Sequence, residues 1–259
     1  METNNKPNVN DLLGLAPYGE SLKLVIEKGF DAASAVLSRI CLPAAEELGL
    51  MYRDKIKFWR LKNIIKIIDK SKNKIDFLDS ELQLSLHPRI ANELLEHGSL
   101  CDDDKLQEMW SGLLFVSIEI GESNDQNLLF ANALKQLTAI QARLINHVCQ
   151  NCKVKVCGNG LLIGGKMKMD LLEITNITGC SDIHQLDAEL DSLRTSNLIL
   201  GGFSMSKDPI EAELRVSAFL LALYSKTQGY KGQLLDFYSN QIADGDDPDF
   251  RVQSYLVSN

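Results

Sequence analysis

The segment from Asp102 to Leu114 limits the fold more than any other part of the chain. Asp102, Asp103 and Asp104 supply carboxylates that cap free backbone amides and favour the positive end of a helix dipole. Leu106, Met109, Trp110, Leu113 and Leu114 follow at i, i+3, i+4, i+7 and i+8, an apolar stripe about 100° wide on one helical face. A stripe of that width has to be buried. The segment therefore predicts a helix in a packed core, and its five apolar residues are a packing signature without catalytic chemistry.

Other helices are read the same way. Residues 20–50 give two helical stretches, the second able to start at Pro43. From Tyr52 to Lys74, Ile56, Leu61, Ile64, Ile65 and Ile68 predict one long amphipathic helix. His87-Pro88 marks a boundary, since proline disfavours helix in the residue before it, and a short helix from Pro88 stops at His97-Gly98. A further helix is expected from Asn127 through Leu134.

Beyond Thr138 the order becomes helix (139–149), a short strand near 161–163, helix (170–177), turn, and helix (183–194). Residues 196–203 and the apolar stretch 213–223, joined by a polar turn at 206–209, suggest a two-stranded wing. The expected fold is mainly α, an amino-terminal helical domain followed by a winged-helix-like α+β domain. Its expected divisions are a flexible start (1–19), the helical domain (20–136), the winged-helix-like domain (137–228) and a mobile carboxy-terminal tail (229–259).

Composition narrows the classes of function. A chain of 259 residues with 45% hydrophobic and 24% charged residues can bury substantial cores and is no disordered polymer. The polar stretch after Met1 lacks the basic start and apolar centre of a secretory signal, and no run of about 18 apolar residues occurs. The expectation is a cytoplasmic protein whose six cysteines are reduced thiols, with peripheral contact at the inner membrane surface as a further option. The net charge of -8 is uneven: residues 1–75 hold 13 Lys and Arg against 9 Asp and Glu, and the remainder holds 14 against 26. Only the first part can attract an anionic surface.

Arg53, Lys55, Lys57, Arg60, Lys62, Lys66, Lys70, Lys72 and Lys74 stand against Asp54 and Asp69 in the predicted amphipathic helix. With Phe58 and Trp59 as interfacial anchors, this segment has the character of a helix that lies on an anionic membrane or meets an acidic partner. The plainer alternative is a core-packed helix with a solvated basic face. His147, Cys149, Cys152 and Cys157 form H-x-C-x2-C-x4-C, a zinc-compatible donor set in a short loop; reduced, unligated thiols are the alternative, and no cofactor is expected. No nucleophile elbow accompanies the four histidines, and Gly158-Asn-Gly160 lacks the spacing of a phosphate loop, so an enzyme is not expected. Asp182, Asp187, Glu189 and Asp191 against Arg194 oppose nucleic-acid binding through the would-be recognition helix.

Four stretches together resemble the Abi-alpha (abortive infection alpha) family of bacterial proteins. They are Trp59-Arg-Leu-Lys-Asn63, the segment Pro88 to Ser99, the segment Asp102 to Leu114, and Phe130 to Thr138. The resemblance spans roughly residues 20–225, and Asp-Lys-Leu-Gln-x-Met-Trp-x-x-Leu-Leu is its most specific part. It implies a role in resistance to bacteriophage but supplies no reaction and no site residues. The leading expectation is a non-enzymatic defence protein working through a protein partner, a phage component or a membrane surface, with homo-oligomers as an option. A winged-helix DNA-binding regulator is the first alternative, and a cryptic enzyme or zinc protein the second.

Overall fold

The computed structural model of the chain describes residues 20–53, 58–72, 84–120, 125–204 and 209–243. It is mainly helical, with small sheets, and divides into two compact units, Met1–Lys135 and Gln136–Asn259.

The first unit contains helices α1 (Glu20–Ile40), α2 (Leu42–Arg53), α3 (Phe58–Lys72), α4 (Pro88–Glu96), α5 (Asp104–Ser117) and α6 (Leu128–Leu134). Helix α5 starts where the sequence expects it. Asp103 is the N-cap, its Oδ1 accepting from Lys105 N at 2.9 Å and Leu106 N at 3.1 Å. All five signature residues, Leu106, Met109, Trp110, Leu113 and Leu114, are buried. So are Gln107, Ser111, Gly112, Val116 and Ser117, so the helix is enclosed on more sides than a single stripe requires.

Helix α3 packs on α5 and also on α1, α2 and the turn at 98–100, and its Leu61, Ile64, Ile67 and Ile68 are buried. Buried polar groups fix the pairing: Ser71 Oγ donates to Ser111 O at 3.0 Å, and Asn63 Nδ2 to Ser99 O at 3.0 Å. Gln107 Nε2 donates to Cys101 O at 2.9 Å and to Asn63 Oδ1 at 3.4 Å. The amide nitrogens of Asn63 and Gln107 are satisfied in this way, whereas Gln107 Oε1 is buried without a hydrogen-bond partner among the described residues. Gly98, in a single 3-10 turn at Gly98–Leu100, permits a close approach: a Cβ there would lie 2.9 Å from Leu94 Cδ1 and 3.4 Å from the Trp110 ring.

Two details differ from expectation. Tyr52 and Arg53 finish α2 rather than opening the basic helix, which is described from Phe58. Strands β1 (Leu84–Leu86) and β2 (Ile118–Ile120), the latter following α5 without a loop, pair antiparallel with Leu86 opposite Ile118. Each has three residues, too few for alternation to register as a sequence signal.

The second unit opens with α7 (Ala139–Asn151), started by a Thr138/Gln141 capping box. A hairpin of β3 (Val154–Val156) and β4 (Leu162–Gly164) leads to β5 (Lys166–Asp170), α8 (Leu171–Thr178) and α9 (Ile183–Thr195). Gly179, at φ 72°, closes α8 in the left-handed conformation, and Asp182 caps α9. Strands β6 (Ile199–Phe203) and β7 (Glu211–Val216) follow, then α10 (Ala218–Thr227) and α11 (Leu234–Phe237).

The sheet is three-stranded, in the antiparallel order β5-β7-β6, rather than a lone two-stranded wing. Strand β5 alternates Lys-Met-Lys-Met with Met169 buried, a pattern too short to mark a strand until β7 pairs with it. The stretch 213–223 is not one element; Ser217 ends the strand and caps α10 through Leu220 N at 3.0 Å. The expected mobile tail begins too early. Residues through Ala243 pack on this unit, with Tyr238 fully buried and Val154 bridged to Ile242.

Candidate functional site

Helix α3 decides which of the basic residues can meet another molecule. Its apolar side faces the core, and Trp59, Lys62 and Lys66 stand on the outward side at helical spacing. Trp59 is 44% exposed, unusual for an indole with a core beneath it, and Leu100 on the adjoining 3-10 turn is 51% exposed. A flat aromatic ring beside two ammonium groups can enter an interfacial layer while the charges meet phosphates or carboxylates.

Two candidates are turned to internal use. Arg60 Nε donates to Ser99 Oγ at 2.8 Å, and Nη2 to Leu95 O at 2.9 Å and Glu96 O at 3.2 Å. It thereby satisfies carbonyls at the negative end of α4, where a cation is favoured. Lys70 Nζ binds Asp104 through its carbonyl oxygen at 3.2 Å and Oδ1 at 3.3 Å. Each is thus engaged within the unit, Arg60 by the end of α4 and Lys70 by the exposed Asp104 at the surface. Lys55 and Lys57 lie outside the described residues, as do the side chains of Arg53 and Phe58.

The H-x-C-x2-C-x4-C residues do not converge. His147 Nε2 stands 3.5 Å from Glu173 Oε1, whereas Cys157 begins the turn of the β3–β4 hairpin, its N–H donating to Leu161 O. Only Cys149 and Cys152, at the end of α7, are brought together, both buried. Among the described residues no group of three or more His, Cys, Asp or Glu side chains is arranged to hold a metal ion. All six cysteines are free.

Burial pushes the Cys149 thiol well above its ordinary range, the neighbouring Cys152 adding to the effect, and burial raises Cys152 to about 11. In the unfolded chain both thiols lose their protons near the ordinary value of about 8.5. Between that pH and about 11 the folded state therefore holds more protons than the unfolded state, and stability falls as pH rises. The expected result is a lower unfolding midpoint at pH 10 than at pH 7.5, with the decline reduced in Cys149→Ser/Cys152→Ser. A pH profile unchanged by the double substitution would remove the thiols as its cause.

On α9, Asp187 and Asp191 are exposed, and Arg194 is paired with Asp191 at 2.7 Å instead of standing free for a phosphate. Glu189 accepts from Thr138 Oγ1 at 2.9 Å, tying α9 to the start of α7. Among the described residues no helix is long and apolar enough to cross a membrane.

The family model for abortive infection alpha matches residues 60–214, which takes in α3 from Arg60 on, the buried signature of α5, strands β5 and β6 and the first four residues of β7. The chain belongs to the abortive infection alpha family. Abortive infection is a mode of defence against bacteriophage, and the membership places this protein in that general role. No curated protein and no solved structure matches the chain. The matched span begins at Arg60, the residue that ties α3 to the end of α4, and encloses Trp110. The abortive-infection protein also holds functional candidates that motif reading overlooked, among them Tyr238 and Gln241, which cover the Cys149–Cys152 pair. Their signal is faint, an aromatic residue and an amide in a polar segment.

Proposed function

We propose that this abortive-infection protein acts without catalysis, through the outward face of α3, by contact with the anionic inner surface of the membrane. The observation that carries the reading is the exposed set Trp59, Lys62 and Lys66 on a helix whose opposite side is core. Arg60 and Lys70 hold that helix in place, so the face is presented on a fixed support. The overall charge of -8 opposes approach to such a surface at long range. Ionic screening over about 8 Å at physiological salt leaves the local positive charge to decide close contact.

Each lysine near an anionic bilayer contributes about 1 kcal/mol, so reversing Lys62 and Lys66 together should weaken binding by at least about 30-fold. The test is co-sedimentation of the full chain with phosphatidylglycerol-containing vesicles, using phosphatidylcholine vesicles as the reference. The expected result is salt-sensitive binding to the anionic vesicles only, lost in Lys62→Glu/Lys66→Glu together with protection against phage. Full protection by a folded double variant would sink the reading.

A second reading concerns the other unit. The order α7, β5, α8, α9, β6, β7, with the separate β3–β4 hairpin inserted between α7 and β5, supports a winged-helix assignment. The acidic outward residues of α9 weigh against duplex DNA as its ligand, and we read the module as one that recognises a protein, of the host or of the phage. In the same series of experiments, salt-dependent duplex binding weakened by Arg194→Ala would instead favour the DNA-binding alternative.

A further inference from the structure

The carboxy-terminal stretch 234–243 lies over the end of α7 and covers its two thiols. Tyr238 is fully buried beside Cys149 and Cys152, and its hydroxyl donates to Leu221 O at 3.1 Å. Phe237 stacks edge-on with Tyr238, their ring centroids 4.8 Å apart, and lies 5.2 Å from the Tyr230 ring. Gln241 Nε2 donates to Cys149 O at 3.1 Å and Gln150 O at 2.5 Å, completing the hydrogen bonding of the helix end. One parallel bridge, Val154 to Ile242, and the bond from Ala243 N to Val154 O at 2.8 Å close the strap.

The attachment is slight for what it covers. Helix α11 buries no residue, and Leu235 and Ile242 are 42% and 40% exposed. Tyr238 is the one side chain between 234 and 243 that is buried. A segment held by one buried ring, the part-exposed Phe237 beside Tyr224 and Tyr230, a two-residue bridge and one capping amide belongs to the low-stability end of a structure, where sub-global opening precedes unfolding.

Beneath it, Cys149 is in the last turn of α7 and Cys152 is its C-cap, with Cys152 N still bonded to Val148 O at 2.8 Å. Helical geometry sets Cα atoms three residues apart at about 5 Å. That lies within the span a disulfide bridges.

We propose that residues 234–243 form a releasable strap over a latent dithiol, and that Cys149 and Cys152 join in a disulfide when the strap is displaced in the presence of a small-molecule disulfide oxidant. The exposed Cys152 thiolate attacks a sulfur of the oxidant and releases one of its thiolates. The Cys149 thiolate then attacks Cys152 Sγ in the mixed disulfide, expelling the second. Two protons leave the protein thiols, and the oxidant is reduced to two thiols. While the strap is closed, burial and the carbonyl end of α7 keep both groups protonated and inert. Release into water returns both towards the ordinary thiol range of about 8.5, which for Cys152 raises the thiolate fraction at neutral pH by about 10²-fold.

The test follows each cysteine of the full chain by mass spectrometry during N-ethylmaleimide labelling, with the part-exposed Cys157 and Cys180 as internal references. Expected in the native chain is slow labelling of Cys149 and Cys152 with a weak dependence on low urea. In Gln241→Ala, which removes only the two capping bonds, both should label about tenfold faster while Cys157 and Cys180 do not change. Oxidised glutathione should then yield the Cys149–Cys152 disulfide faster in that variant than in the native chain. The proposal fails if the two thiols label as fast as Cys180 in the native chain. It also fails if their labelling requires global unfolding, as shown by a full urea dependence matching loss of circular dichroism, or if oxidised glutathione, added to chain that has not met the maleimide, gives no Cys149–Cys152 disulfide. The urea series on the native chain keeps the test decisive should Gln241→Ala not fold.

Discussion

Trp110→Ala is expected to lower the stability of the first unit by about 3–5 kcal/mol, the loss typical of deleting a large, fully enclosed aromatic side chain. Trp110 is 1% exposed and lies where α5, α4 and the turn at Gly98 meet. Its ring is close enough to Gly98 that even a methyl group there would stand 3.4 Å away. Surroundings built this tightly from helices cannot collapse around the space left by the ring, so the cavity persists and the neighbouring leucines lose their packing partners. The cost is a large share of the stability of an ordinary domain. The chain should therefore accumulate poorly and lose phage protection. The measurement is urea unfolding followed by far-ultraviolet circular dichroism, because substitution leaves Trp59, 44% exposed, as the sole and less informative tryptophan. An unchanged midpoint would contradict the enclosure of the ring. Trp110→Phe, which retains most of the volume, should recover a substantial part of the loss.

Gly201→Ala should have a comparable effect on the second unit, about 3–5 kcal/mol, through the backbone rather than the core. Gly201 sits in β6 opposite Leu214 with φ 94°, a conformation that an L side chain adopts only at a cost. A Cβ at this position would come within 2.0 Å of the Glu213 carbonyl oxygen, and a backbone atom in the central strand of a sheet cannot step aside. Relief requires β6 to separate from β7, exposing Ile199 and Leu214, which are both 1% exposed. Both tryptophans lie in the first unit, so fluorescence separates damage confined to the second unit from a general failure to fold. Circular dichroism should show the loss while the tryptophan signal retains its native transition. Wild-type stability in Gly201→Ala would mean that the strand pairing is looser than described.

Much of the helical framework could be read locally. Pro88 at the start of α4, Asp103 before α5, the Thr138/Gln141 box before α7, and Gly179 after α8 act within about one turn of the chain. Strands were less legible. β1 and β2 have three residues each, and β5 shows its role only once β7 pairs with it. A short strand owes its existence to a partner distant in sequence, and its own residues carry too few periods to announce it.

The basic segment shows the same division at the level of function. Its composition gave one undifferentiated row of cations from Arg53 to Lys74. Packing separates that row into residues that face out with no partner from another element among the described residues, Lys62 and Lys66, and residues engaged by neighbouring elements, Arg60 by α4 and Lys70 by Asp104 at the surface. Arg60 reaches a carbonyl 35 residues away, a distance over which no helical periodicity carries information.

By itself, then, the sequence determined the family, the position of α5 and the burial of its apolar stripe, because spacing and capping are short-range physics written in consecutive residues. Tertiary structure alone decided which charges remain free and what lies over Cys149 and Cys152. Gln241 meets the end of α7 across 92 residues, and such a contact exists only after the intervening chain has folded to bring the two together.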